Sequence, residues 1–159
     1  EVDIVMNNEK FKYDFLEYNK YLVLKPNLSL KIILFFLCKE TLFVVFFLAF
    51  SFRGDDSSIM KHLLEPSLML SNIPALIVLI TIFYRKPGAG QMVKNLWKYG
   101  RELLFLSSLL GLAVIFQKVG FSLENYSFLA IFFILGYSAA FVYLLFSEQT
   151  RDLFREFPD

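Results

Sequence analysis

The sequence predicts an all-α fold, and within that class a polytopic membrane protein of four transmembrane helices in one domain, residues 1–159. Three observations lead there. Apolar residues make up 57% of the chain, with 20 Phe, far from the balance of a soluble domain. They gather into four long segments, about 28–52, 66–84, 103–119 and 126–147. Between the second and third lies a shorter stretch whose charge falls on one face, the pattern of an interfacial amphipathic helix.

The first segment, Leu28–Phe52, is 25 residues long, and 17 of them are Leu, Ile, Val or Phe. At about 1.5 Å per residue it exceeds the roughly 30 Å of bilayer hydrocarbon. Lys39 and Glu40 stand at its midpoint. Each apolar residue near a span centre favours insertion by about 0.3–0.6 kcal/mol, and each central charge opposes it by about 2.5–3.5 kcal/mol. The margin is therefore small. A continuous span is favoured; the competing reading breaks the helix at Cys38-Lys39-Glu40-Thr41, leaving pieces too short to cross.

Ahead of this segment, Phe11, Phe15, Tyr18 and Leu22 fall at helical spacing, suggesting a short amphipathic helix at a surface. The first apolar run is too long for a signal-peptide core and is expected to be retained as an anchor. Pro26 suits a helix start, where its missing N–H has no partner to lose. Residues 53–65 read as a solvated loop, with an acidic turn at Gly54-Asp55-Asp56-Ser57-Ser58 that lacks calcium-loop spacing. Pro74 lies near the centre of the second span, deprives the Leu70 carbonyl of its usual donor and predicts a kink.

Arg85-Lys86-Pro87-Gly88-Ala89-Gly90 is a break. Beyond it, Val93, Leu96, Trp97, Gly100, Leu103 and Leu104 share one helical face, and Lys94, Lys98 and Arg101 the other. Lys94, Trp97, Lys98 and Arg101 are accordingly expected to face lipid headgroups. Six residues separate the third and fourth spans, which predicts an antiparallel hairpin. Ser107 and Gly111 on one, and Gly136 and Ala140 on the other, are small residues four apart that let helices pack closely. The tail 148–159 alternates in charge and reads as a frayed helix end.

Charge sorting sets the expected orientation. Eleven Lys and Arg fall on one side: Lys10, Lys12, Lys20 and Lys25; Arg85, Lys86, Lys94, Lys98 and Arg101; Arg151 and Arg155. Only Arg53, Lys61 and Lys118 fall on the other, so both termini are expected in the cytoplasm. The basic cluster is then a topology signal and does not imply nucleic-acid binding. One cysteine, Cys38, excludes an internal disulfide, and one histidine, His62, excludes bis-histidine haem ligation. No cofactor or metal site is expected.

An ionisable residue at membrane depth is a functional-site hypothesis by default. Lys39, Glu40, Pro74 and Tyr137 form the expected polar cluster. Adjacent helix positions diverge by about 100°, so Lys39 and Glu40 are expected to seek partners on other helices, with the Tyr137 hydroxyl and Leu70 carbonyl as acceptors for Lys39. Structural pairing, capture of a partner's charge, and an ion or proton pathway are the three readings.

Tyr18-Asn19-Lys20-Tyr21-Leu22-Val23-Leu24-Lys25-Pro26, Lys39 within the first span, Leu64-Glu65-Pro66, Ile73-Pro74-Ala75 and Arg85-Lys86-Pro87 together resemble the small bacterial inner-membrane proteins grouped with YfeZ, a family of unknown function. That pattern favours Arg followed by Pro where this chain has Lys39-Glu40. The resemblance implies the bacterial inner membrane and assigns no activity. The expected function is a non-catalytic accessory or assembly subunit of a larger inner-membrane complex, contacting lipid and either other integral membrane proteins or a second copy of itself. A small transporter or ion conduit using Lys39 and Glu40 is the alternative. A lipid-acting enzyme would need a nucleophile beside a base, and Glu65 with His62 is a weak candidate.

Overall fold

The computed structural model describes residues 12–50, 66–119 and 128–158. Phe11, the turn Gly54 to Ser58, His62, Glu65 and the connection after Val119 lie outside these residues. Among the described residues seven α-helices follow one another: α1 (Leu28–Leu37), α2 (Lys39–Phe50), α3 (Pro66–Tyr84), α4 (Gln91–Lys98), α5 (Gly100–Val119), α6 (Phe128–Phe146) and α7 (Glu148–Arg155). The all-α class stands, and the four expected apolar segments are helical where described.

The membrane reading requires correction. Among the described residues one helix, Gly100–Lys118, is long and apolar enough to cross a bilayer. There are two if Ala130–Phe146 and Glu148–Arg155, bent by 69° at Ser147, count as one crossing. Leu28–Leu37 and Met69–Tyr84 are shorter apolar helices. Four transmembrane helices in a multi-pass inner-membrane protein are therefore not what the described residues form. The physical reason is clearest in the first segment. Cys38 takes φ −96° and ψ 3° and divides the 25-residue run, leaving ten helical residues before it and twelve after. Ten residues rise only about 15 Å. Hydrogen bonds still cross the interruption, from Cys38 N–H to the Leu34 carbonyl (2.9 Å) and from Leu42 N–H to the Cys38 carbonyl (3.0 Å).

With four crossings gone, the cytoplasmic placement of both termini loses its basis, because the charge sorting presupposed them. Several of the sorted cations have internal work instead. Arg85 is buried, donating from Nη1 to the Leu24 carbonyl (2.7 Å) and from Nη2 to the Glu156 carbonyl (2.9 Å). Burial pushes its guanidinium down to about 10, against the pull of the Glu156 carboxylate, so it stays cationic at neutral pH. Arg101 donates to the Leu144 and Leu145 carbonyls (3.0 and 3.1 Å), closing the C-terminal end of α6 where helix carbonyls lack partners.

Residues 12–27 are not an amphipathic helix. They form a 3-10 turn, Phe15–Glu17, and a tight loop in which Tyr18 and Leu24 bridge and Leu22 adopts φ 57°. Asn19 holds that loop, its side chain accepting from the N–H groups of Tyr21 and Val23. Nor is the tail frayed. Ser147 caps α7 by accepting from the Thr150 N–H, and Thr150, Leu153 and Phe154 are buried. Gly100 makes this packing possible, since a Cβ there would collide with the Phe154 ring.

Residues 12–27 and the C-terminal segment from Ser147 meet at one end of the helices. Asn27 caps α1 by accepting from the Leu30 N–H (2.9 Å), while its amide nitrogen donates to Tyr143 (2.8 Å) and Gln149 (2.7 Å). Gln149 donates onward to Glu17 (2.8 Å). Asp152 accepts from Lys12 (2.7 Å) and Tyr13 (2.8 Å). The hydrogen bond from Lys12, and then that from Tyr13, hold the Asp152 carboxyl below its ordinary value. A depressed carboxylate stabilises the folded state above the unfolded pKa of about 3.9, and that contribution is lost as pH falls through the lower folded value. Hydrogen–deuterium exchange of residues 12–17 should therefore be slower in the wild type than in Asp152→Asn at neutral pH. The difference should vanish in acid, once Asp152 is protonated; a difference that persists there would contradict the assignment.

Candidate functional site

At the start of α2 the chain places two charges side by side and covers them. Lys39 is only 9% exposed. Its Nζ lies 2.6 Å from Glu40 Oε1 and donates to the Tyr137 hydroxyl at 2.9 Å. Three rings surround the ammonium: Phe36 at 4.4 Å, Phe133 at 4.7 Å and Tyr137 at 4.4 Å to their centroids. The faces of aromatic rings are negative, and a desolvated cation over one gains about 2 kcal/mol or more. Glu40 is held on its other oxygen by Asn72, which donates from Nδ2 to Oε2 at 2.7 Å. Tyr137 also reaches Glu40 Oε1, at a long 3.4 Å.

Helical spacing builds this cage. Phe36 and Lys39 are three apart across the Cys38 interruption, and Phe133 and Tyr137 are four apart on α6, so each pair shares a face. Phe36 packs edge-on to Tyr137, with centroids 5.1 Å apart and planes at 67°. The small residues make the room. A Cβ on Gly136 would meet the Phe36 ring, and a Cβ on Gly111 would meet the Tyr137 ring. Ser107 is buried and donates to the Ser71 carbonyl at 2.8 Å, joining α5 to α3. Ser108 turns back to the carbonyls of Leu104 and Phe105 on its own helix. Ala140 is buried on α6.

Two groups seen separately in the sequence therefore belong to one constellation. The polar cluster of Lys39, Glu40 and Tyr137 and the small residues Ser107, Gly111 and Gly136 occupy the same region, and Pro74 is buried on α3 two residues from Asn72. The expectation that Lys39 and Glu40 turn away from each other is not met, because both side chains are long enough to fold back into contact. Leu70 is exposed, and the added hydroxyl donor on α3 goes to Ser71, its neighbour. Asn72, Phe36 and Phe133 were not anticipated. A polar Asn inside an apolar run two residues before Pro74 was the available signal.

The headgroup-facing set divides. Trp97 is 1% exposed and turns inward: its indole N–H donates to the carbonyls of Leu153 (3.1 Å) and Glu156 (2.9 Å), and Arg85 stacks 4.4 Å from its ring. Lys98 is exposed, Lys94 lies over the Phe157 ring, and Arg101 is tied to α6 as described. No group of three or more His, Cys, Asp or Glu that could hold a metal is found among the described residues.

Chemically, the caged pair is closed. The carboxylate and ammonium pair with each other, Asn72 donates to the carboxylate, and Tyr137 accepts from the ammonium. That arrangement suits a structural lock between α2, α3 and α6. Removing one member of a buried ion pair costs about 3–5 kcal/mol, because the other charge is stranded, whereas replacing both with apolar groups is often near neutral. Lys39→Met should therefore lower the thermal unfolding midpoint sharply, and Lys39→Met/Glu40→Leu should recover most of the loss. A double variant as unstable as the single one would contradict the lock. Gly136→Ala should cost about 1–3 kcal/mol through displacement of the Phe36 ring, read from the same unfolding curves.

In comparison with known proteins, the family DUF2919, described as a protein of unknown function, matches residues 13–156. Neither the curated proteins nor the solved structures give a match.

Proposed function

The chain belongs to the DUF2919 family, and from that premise we propose that it is a non-catalytic accessory or assembly subunit of a larger complex, docking through outward apolar helix faces onto apolar helices of its partners. The observation that carries this reading is an apolar stripe on each of three helices. Leu28, Ile32 and Phe35 are exposed along α1; Leu70, Ile73, Ile80 and Phe83 along α3; and Phe128, Ile131, Leu135, Val142 and Leu145 along α6. These positions recur at three, four and seven residues, so each set is one continuous face of its helix. A monomer in water rarely leaves contiguous apolar surface of this extent uncovered, and such surface marks a contact with protein or lipid. The likeness to the YfeZ group, carried by residues such as Ile73-Pro74-Ala75, is part of this proposal.

The conduit alternative draws less support. Its two charges face one another, Lys39 among aromatic rings, and both are paired within the chain. A pathway group needs an exchangeable partner, such as water or the transported ion.

Extraction from native cells in a gentle detergent should recover the chain in a stable larger assembly, and Ile32→Lys/Phe35→Lys should release it while helix content is retained. Recovery of the wild type only as a free monomer at native expression would overturn the reading. In proteoliposomes, ion flux that disappears in Glu40→Gln with folding retained would favour the conduit instead.

A further inference from the structure

At the end of the helices where residues 12–27 and the C-terminal segment meet, a cleft of about 510 Å³ opens between α4 and α7. Five cations line it: Lys94, Lys98, Arg101, Arg151 and Arg155, against the single acid Glu102. Two helix edges converge to make this set. Lys94, Lys98 and Arg101 recur at four and then three residues, and Arg151 and Arg155 are four apart, so each group shares a face.

The acids on and just after α7 do not neutralise this wall. Asp152 is turned to Lys12 and Tyr13, and Glu156 accepts from the Leu24 N–H at 2.8 Å. Glu148 lies 3.7 Å from Arg151, but both are substantially exposed, where a pair contributes little. Charge is thus sorted around α7, acids toward the N-terminal stretch and bases toward the cleft. Trp97, Phe154 and Phe157 give the same cleft an aromatic wall. Trp97 and Phe154 pack with centroids 4.7 Å apart and are buried, so that wall is preformed.

We propose that this cleft binds a phosphate ester, with the phosphate among Lys94, Lys98, Arg151 and Arg155 and the apolar or aromatic part of the ligand against the half-buried Phe157 ring. Arginine forks and lysine ammonium groups supply the charge-assisted hydrogen bonds that phosphate oxygens accept. The volume lies in the range of small-ligand sites, which pair apolar walls with a few converging polar groups. Arg101 has two of its nitrogens committed to α6 carbonyls, so it contributes field and the others contribute contact. The ester has two sources, a free phosphorylated metabolite or a lipid phosphate headgroup, and both present the same chemistry to the cleft.

Two probes separate the sources: phenyl phosphate titrated calorimetrically into the purified full chain, and co-sedimentation with vesicles of equimolar phosphatidic acid and phosphatidylcholine. Vesicles of phosphatidylcholine alone subtract any contribution from the exposed apolar faces. Saturable binding of phenyl phosphate assigns the site to a soluble ester. Binding only to the phosphatidic acid vesicles assigns it to a headgroup. In either case Lys98→Gln/Arg155→Gln, with both positions exposed and helix content checked by circular dichroism, should weaken binding about tenfold or more, the loss expected for charge-assisted contacts. Arg151→Gln serves as an independent second variant, and Lys86→Gln, outside the cleft, should leave binding unchanged. Absence of saturable binding to both probes, or an equal loss in Lys86→Gln, overturns the proposal.

Discussion

A lysine ammonium removed from water must be compensated by charge, by hydrogen bonds and by polarisable surface, or it will not stay buried. In this chain Lys39 obtains all three from residues fixed on different helices. Its neighbour supplies the charge, Tyr137 on α6 the hydrogen bond, and Phe36, Phe133 and Tyr137 the ring faces. Through Glu40 and Asn72 the same centre reaches α3. The positions of three helices are thereby conditional on one another. The glycines at 111 and 136 follow from the same requirement, since each leaves the space that one of those rings occupies.

The other end of the helices is organised by a different economy of polar groups. Arg85 and Trp97 direct their N–H groups to carbonyls of Leu24, Leu153 and Glu156, backbone that no regular helix satisfies. Buried backbone acceptors need such donors. This fixes the C-terminal stretch against the N-terminal one, with Asp152 and Glu156 turned to residues of the latter. The basic face left outward is a consequence of that arrangement and not a separate feature.

Much of the helical layout was legible in the sequence, because apolar runs bounded by Pro, Gly and polar residues mark helices whatever surrounds them. The run ending at Tyr84 and the run starting near Leu103 emerge where those signals place them. The crossing count was not legible. Composition favours Leu28–Phe52 as one run, and the break at Cys38-Lys39-Glu40-Thr41 stood only as the competing reading; the bridge-region backbone at Cys38 divides the run there, and no periodicity announces a single residue's φ and ψ. Lys39, Glu40 and Tyr137 were visible as polar groups among apolar ones. That they form one cage was hidden, since aromatic residues in a chain with 20 Phe carry little positional information. Trp97 was misplaced for a related reason: an indole suits a membrane interface and a buried stack on arginine equally well, and only the tertiary partners decide.

The central claim is that Lys39 is coupled energetically to Tyr137 across two helices. A double-mutant cycle of Lys39→Met and Tyr137→Phe, read from unfolding free energies of the purified chain, tests it most directly. The account predicts a coupling of about 1–2 kcal/mol between the two positions, as residues in one hydrogen-bonded network show. Strictly additive losses would mean that the two side chains do not act on each other, and the cage would not be what holds these helices together.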